Sequence, residues 1–319
     1  MQTYLDFEKP IAELETRVRE LRDTAASSSD IDIDAEVSKL EAKANKLLRD
    51  TYAKLTPWQK TQVARHPERP HFKNYVAGIA DNFLPLAGDR SFADDPAIVG
   101  GFARIDGRRV MLIGHEKGED TASRLKHNFG MAKPEGYRKA IRLMRLADQF
   151  RIPVVTLVDT PGAFPGVEAE ERGQAEAIAR STEECLALRV PMIGVIVGEG
   201  GSGGAVAIAT ANRVLMLENA IYAVASPEAS ASILWKDAAR AMDAANNMKI
   251  TAQDLMGFGV IDGIIAEPAG GAHRHPDTVM ANTADAMSNF LRDFPGNRGP
   301  LQVRELRREK FMAIGSALN

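Results

Sequence analysis

The sequence predicts an α/β protein built on parallel strands, and two successive strand–loop–helix units carry that prediction. The β-branched run at 154–158 closes on Asp159-Thr160-Pro161-Gly162 and leads into a helical stretch at 169–188. The apolar run at 192–197 closes on a glycine-rich segment and leads into a short helix at 204–211. Consecutive units of this kind imply parallel strands joined by right-handed crossovers. A third observation is Asp106-Gly107 between the apolar runs 98–105 and 110–114, a dipeptide suited to a tight hairpin turn. A β-hairpin therefore precedes the parallel part.

Ahead of that core, residues 10–54 form two amphipathic helices. Ile11, Leu14, Val18 and Leu21 recur at spacings of three and four, as do Val37, Leu40, Ala44, Leu47 and Leu48. A polar small-residue turn at 24–30 separates them. Two such helices cannot bury their stripes alone, so the pair packs on the main body or on a partner. Residues 58–92 read as irregular and proline-rich, with a short helix over 74–83. Pro134 and Glu135 open a helix through Phe150 that keeps Ala140, Ile141, Met144 and Ala147 on one face. Further on, 214–217 and 221–224 are short strands, and Ser226-Pro227-Glu228 is a helix start. Thr251 and Asp254 form a capping box, Gly257 and Gly259 stop that helix, and 260–265 returns as a strand. The expected organisation is a helical hairpin over 1–56, an α/β unit over 57–296 and a helical tail over 297–319.

Composition excludes several function classes. The chain has 319 residues and a net charge of −3, so no sequence-wide basic field recruits nucleic acid or anionic lipid. Arg304, Arg307, Arg308 and Lys310 are interleaved with Glu305 and Glu309, the pattern of a solvated helix face. With Cys185 alone, an internal disulfide and a cysteine zinc ribbon are both excluded, and Cys185 reads as a small core residue. Nowhere do about 18 apolar residues run together, and the first ten residues lack the apolar stretch of a targeting peptide. A cytoplasmic protein is expected. His115, at a strand end, reads as a satisfied structural histidine. His273-Arg274-His275 lacks a third ligand at metal-site spacing and reads as a polar loop. Met248-Lys249 resembles a biotin attachment pair but follows a helical stretch, so it reads as a helix end.

Three chemistries compete for the glycine-rich segment. Gly198-Glu199-Gly200-Gly201-Ser202-Gly203 fits the dinucleotide pattern G-x-G-x-x-G, with Glu218 in the place of the ribose-binding acid. Only about eight residues come between it and Asn212, too few for a crossover helix, and the Glu199 carboxylate would repel a pyrophosphate. A nucleotide triphosphatase is the second reading, from the D-x-x-G at 159–162, but no G-x-x-x-x-G-K-[ST] accompanies it. The third takes both turns, 162–166 and 200–205, as oxyanion devices. Backbone N–H groups entering a helix N-terminus meet developing negative charge, and glycine lets a ligand come close.

At these residues the sequence becomes similar to a known family. Val158-Asp159-Thr160-Pro161-Gly162-Ala163-Phe164-Pro165-Gly166, Ala169-Glu170-Glu171-Arg172-Gly173-Gln174 and Gly198-Glu199-Gly200-Gly201-Ser202-Gly203-Gly204-Ala205 resemble the alpha subunits of bacterial acetyl-CoA carboxylase carboxyltransferases. So do Leu86-Ala87-Gly88-Asp89-Arg90, Asn128-Phe129-Gly130-Met131, Pro134-Glu135-Gly136-Tyr137 and Gly270-Gly271-Ala272-His273-Arg274, in the same order. Position 164 is Phe where Tyr is more usual, so no phenol is assigned a role there. The resemblance implies a crotonase-like (ClpP/crotonase) ββα superhelix and an α2β2 assembly. It implies transfer of a carboxyl group from carboxybiotin, on a separate biotin carboxyl carrier protein loaded by biotin carboxylase, to acetyl-CoA, giving malonyl-CoA for fatty-acid synthesis. Zinc and the CoA thioester then belong to the beta subunit. By carry-over, Gly203, Gly204 and Ala205 hold the biotin ureido oxygen through backbone N–H groups, Gly204 and Ala205 foremost. Gly162, Ala163, Phe164, Gly200 and Gly201 line the carboxybiotin side.

Overall fold

The computed structural model describes residues 3–27, 34–294 and 298–315. It opens on helices α1 (Lys9–Ser27) and α2 (Asp34–Tyr52), which pack on each other. The expected turn at 24–30 is helical as far as Ser27, and 28–30 lie outside the described residues. Helices α3 (Pro57–Ala64) and α4 (Phe72–Ile79) and strand β1 (Asp81–Pro85) come next. This is more order than the irregular segment expected there. Thr56 accepts from the Gln59 N–H and Gln59 reaches back to the Thr56 N–H, a capping box that starts α3. The short helix lies earlier than 74–83, because residues 81–85 pair with the next strand instead.

The hairpin forms as predicted: β2 (Ile98–Ile105) and β3 (Arg108–His115) pair antiparallel around Asp106-Gly107. Both turn residues have positive φ, 49° and 72°, which this tight connection requires. A short helix α5 (Thr121–Lys126) leads to α6 (Pro134–Phe150), then β4 (Val154–Thr160). The single helix expected over 169–188 is two, α7 (Val167–Glu171) and α8 (Gln174–Ala187), separated by Gly173 at φ 83°. Strand β5 (Met192–Gly201) passes into α9 (Ser202–Ala209), succeeded by β6 (Arg213–Leu217) and β7 (Ile221–Ala223). Helices α10 (Pro227–Trp235), α11 (Ala241–Asn247) and α12 (Ala252–Gly257) precede β8 (Gly263–Ile265), then α13 (Pro276–Asp293) and α14 (Pro300–Ala313).

The sheet order is β1-β2-β3-β4-β5-β6-β8, with β7 pairing to the end of β5. From β3 through β8 every pairing is parallel. All seven residues of β4 and all ten of β5 are buried, as expected of central parallel strands covered on both faces. α6 packs on β2 and β3, and α9 on β4 and β5. The tail is not a solvated face throughout. Arg307 is fully buried and donates to the carbonyls of Cys185, Leu188 and Val190 at 2.7–2.8 Å. It satisfies the carbonyls left open where α8 ends, and so pins α14 to the core. Among the described residues, no helix is long and apolar enough to cross a membrane.

Candidate functional site

The carboxyl ends of β4 and β5 lie side by side, and each enters a turn. Ligands of open parallel sheets gather at this edge. After β4 the chain turns at Thr160-Pro161-Gly162. The Thr160 hydroxyl donates to the Gly162 carbonyl at 2.7 Å and accepts from the Gly162 N–H at 3.1 Å. Gly162 has φ 154°, and a Cβ there would meet nothing within 4 Å, so space is open in front of it. Ala163 and Phe164 continue the turn. The Phe164 N–H donates to the Ala132 carbonyl, and the Gln174 amide donates to the carbonyls of Ala132 and Phe164 at 2.9 Å. Lys133 lies 4.7 Å over the Phe164 ring.

The second turn differs from its sequence expectation. Residues 198–201 are strand, not loop: Gly200 pairs with Thr160 on one side and Tyr222 on the other, and Gly201 pairs with Ala223. The change of direction falls on Ser202, whose φ of 53° is unusual for a residue with a side chain. Gly200-Gly201-Ser202-Gly203-Gly204 also spells the G-x-S-x-G spacing of a nucleophile elbow, a signal that none of the three sequence readings of this segment uses. No histidine is hydrogen-bonded to Ser202 among the described residues. A Cβ on Gly201 would stand 2.1 Å from the Pro161 carbonyl oxygen, and one on Gly204 2.7 Å from the Gly162 carbonyl carbon. The two turns touch, backbone against backbone. Gly162, Ala163, Gly201 and Gly204 are thus brought together, the Cβ position of Gly203 faces the Ile178 side chain instead, Ala205 is buried, and Gly200 and Gly201 lie within paired strand.

Beneath the turns lies a buried charged layer absent from the site expected of the sequence. Asp159 receives the Glu199 N–H at 2.9 Å, pairs with Lys117 at 2.6 Å and faces His71 at 3.6 Å. Burial alone would push the Asp159 carboxyl up, but the Lys117 ammonium and His71 outweigh it and hold the group well below the usual carboxylate range. Glu199 is clamped by Arg65 at 2.6 Å, and Arg65 also grips Glu228 at the start of α10 at 2.7 Å. That pairing accounts for the carboxylate that spoils the phosphate cradle. Arg65, His71, Lys117, Phe129, Asp159 and Pro161 border a cavity of about 200 Å³ beside the first turn.

His115 is buried at the end of β3 against the Gly204 backbone, and its ring nitrogens make no close, well-aligned hydrogen bond. Burial pushes its pKa down to about 4 and keeps the ring neutral. Cys185 is core, its thiol pushed up to about 12 by burial. His273 stacks on His66 at 3.8 Å, while Arg274 pairs with Glu15 at 2.8 Å and Glu8 at 3.4 Å, fastening the segment to α1 and the turn before it. Met248 ends α11, and Lys249 comes next in the left-handed region rather than on a hairpin tip. No group of three His, Cys, Asp or Glu side chains placed to hold a metal occurs among the described residues.

Comparison with known proteins bears on the family and the fold. A family profile described as acetyl co-enzyme A carboxylase carboxyltransferase-like matches residues 4–315. The acetyl-coenzyme A carboxylase carboxyl transferase subunit alpha of Rhizorhabdus wittichii is 65% identical over 315 residues, covering 99% of this chain and 100% of its own. The subunit of the same name from Zymomonas mobilis is 65% identical over 318 residues, again with 99% and 100% coverage. Among solved structures, a transcarboxylase 12S core superposes with a TM-score of 0.54 at 24% identity, over 68% of this chain and 42% of that one. The beta subunit of Pseudomonas aeruginosa geranyl-CoA carboxylase does so at 0.54 and 21%, over 73% and 45%. These likenesses speak to the fold, which is the crotonase-like α/β arrangement that the sequence resemblance implied. By the length and identity of its match, the chain belongs to the acetyl-CoA carboxylase carboxyltransferase alpha-subunit family.

Proposed function

We propose that this chain is the alpha half of a carboxyltransferase that moves a carboxyl group from carboxybiotin to acetyl-CoA, yielding malonyl-CoA for fatty-acid synthesis. The observation that carries the reading is the end-to-end match to alpha subunits, with two touching turns at neighbouring strand ends. The carboxybiotin arrives on a separate carrier protein charged by biotin carboxylase. A beta partner, which holds the zinc and the CoA thioester, completes an α2β2 enzyme. The hairpin over 1–56, the unit over 57–296 and the tail over 297–319 serve assembly, transfer and bracing in turn, in a cytoplasmic enzyme.

The turns fit a planar polar group. Space is open before Gly162, and the first residues of α9 present N–H groups that no helical carbonyl can reach. Since α9 begins at Ser202, the N–H groups of Gly203 and Gly204 are free by helix geometry. That of Ala205 already points back at the Gly201 carbonyl. We therefore place the inward donors at Gly203 and Gly204, with Ala205 closing the turn behind them. The biotin group supplies a carboxyl on a ureido nitrogen, and negative charge gathers on the ureido oxygen as that carboxyl leaves. This chain's part is to meet the charge, each donor contributing about 3 kcal/mol in the transition state. Gly162, Ala163 and Phe164 border the same space, and Gly200 and Gly201 hold the turn against it.

The test is biotin carboxylation from malonyl-CoA, run with this chain alone and with a beta partner. Activity should appear only with both. Full activity of the isolated chain would sink the two-subunit reading.

A further inference from the structure

The pairing of β4 with β5 loses its register just before the donor turn. Val158 faces Ile196 and Thr160 faces Gly200, so Val197, Gly198 and Glu199 lie opposite Asp159 alone. Such bulges bend a strand and re-aim the residues beyond it, at the cost of backbone groups left outside the ladder. Here side chains take over those groups. The Glu199 N–H donates to the Asp159 carboxylate at 2.9 Å, and the Val197 carbonyl accepts from Arg69 at 2.7 Å. Both side chains are buried ions, and both are compensated: Asp159 by Lys117 at 2.6 Å and Arg69 by Glu267 at 2.6 Å. Gly198 is part of the same device, since a Cβ there would stand 2.4 Å from the Asp159 carboxylate oxygen.

We propose that Asp159, held in place by Lys117, is a positioning residue for carboxyl transfer: it fastens the bulge at 197–199 and thereby aims the N–H groups of the turn at 202–205. The proposal rests on the reading of that turn as the donor of the transfer step. Asp159 does not touch substrate in this scheme. It acts through the Glu199 N–H, on the strand that runs directly into the glycines that do. An ion pair with no task but stability could be replaced by apolar groups without consequence for turnover. A carboxylate that fills a hole in the ladder cannot.

The experiment compares Asp159→Leu, Asp159→Asn and Gly198→Ala in the assembled complex with a beta partner, reading steady-state kinetics and amide hydrogen exchange. Leu removes the acceptor. Asn keeps one oxygen for the Glu199 N–H. Gly198→Ala pushes the carboxylate off that N–H while leaving the ion pair's charges balanced, so it reports even if the Leu variant does not fold. In Asp159→Leu and Gly198→Ala, exchange at 199–204 should accelerate, kcat should fall by about 100-fold, and KM for acetyl-CoA should stay within about twofold, the signature of a misplaced catalytic group. Asp159→Asn should recover about tenfold of that loss. Unchanged exchange at 199–204 in folded Asp159→Leu or Gly198→Ala complexes would overturn the proposal. Faster exchange with kcat intact would uphold the bulge anchor and overturn the donor role of the turn itself.

Discussion

The two turns at the sheet's carboxyl edge occupy equivalent places after neighbouring parallel strands, yet they are held in opposite ways. The turn after β4 is tied by side chains: the Thr160 hydroxyl bonds twice to Gly162, and Gln174 spans the Ala132 and Phe164 carbonyls. The turn after β5 is held by the absence of side chains, because Gly201 and Gly204 press their backbones against Pro161 and Gly162. A polar tie can be weakened by degrees. A backbone contact admits no extra atom, so the second turn should be the less forgiving.

The largest effect should come from Gly201→Ala. Its Cβ would lie 2.1 Å from a backbone oxygen, and neither turn can yield without moving a strand. Overpacking of this kind costs about 1–3 kcal/mol, sometimes more. Transfer should fall below detection in complexes that still assemble, as checked by a spin-column or sedimentation assay beside the carboxylation assay. Gly204→Ala belongs to the same class, which makes larger residues at 204 poor probes of the N–H groups alone. Retained turnover in either variant would erase the contrast between the turns.

The buried layer beneath them offers a second break, through pH. Asp159 is held ionised far into acid, whereas His115 is held neutral down to about pH 4. The unfolded chain takes up a proton on this histidine near pH 6.5. The folded chain does not, so stability is present above that pH and is lost as pH falls from about 6.5 to about 4. The loss should be on the order of 3 kcal/mol. Urea unfolding between pH 7 and 4.5 should show that slope in the wild type and a shallower one in His115→Gln. Equal slopes would move the acid-sensitive group elsewhere.

Much of this arrangement was legible in the sequence, and the exceptions have physical causes. Helix α6 declared itself through Pro134 and a period of 3.6, which depend on the local chain. The length of β5 did not, because glycine carries no strand signal. Residues 198–201 are extended only since Thr160 and Tyr222 pair with them. The glycine turn was visible as a donor site, but the layer under it was not. Asp159 meets Lys117 and Glu199, and Arg65 meets Glu199 and Glu228, across separations that no periodicity encodes. Arg69 and Arg307 are cations, and hydropathy places cations outside. They are instead fully buried where a bulge and a helix end leave carbonyls open.

A smaller effect is expected in the side-chain-tied turn. Thr160→Val keeps the shape and removes both hydroxyl bonds, leaving the Gly162 N–H without its partner. The cost should be about 1–3 kcal/mol. Because Pro161 and the packing against Gly201 still restrain the chain, transfer should drop only about tenfold, the equivalent of about 1.4 kcal/mol. Thermal unfolding and kcat of the complex measure the two parts separately. A loss as deep as that of Gly201→Ala would mean that the two turns are held alike after all.

The smallest effect should come from Gly203→Ala, and it isolates the N–H group from the bareness of glycine. A Cβ at 203 would meet only the side chain of Ile178, at 3.2 Å, which can shift by a few tenths of an ångström. The backbone N–H is unchanged, and alanine favours the helix over glycine by about 0.5–1 kcal/mol. The fold should be as stable as the wild type or slightly more so. If the donor is all that position 203 provides, kcat should stay within about twofold, because nothing aimed at the ureido oxygen has moved. A deep loss of kcat in a complex of normal stability would show that substrate needs the volume a Cβ fills. The donor face would then lie on the Gly203 side of the turn, with Gly204 pressed against Gly162 behind it.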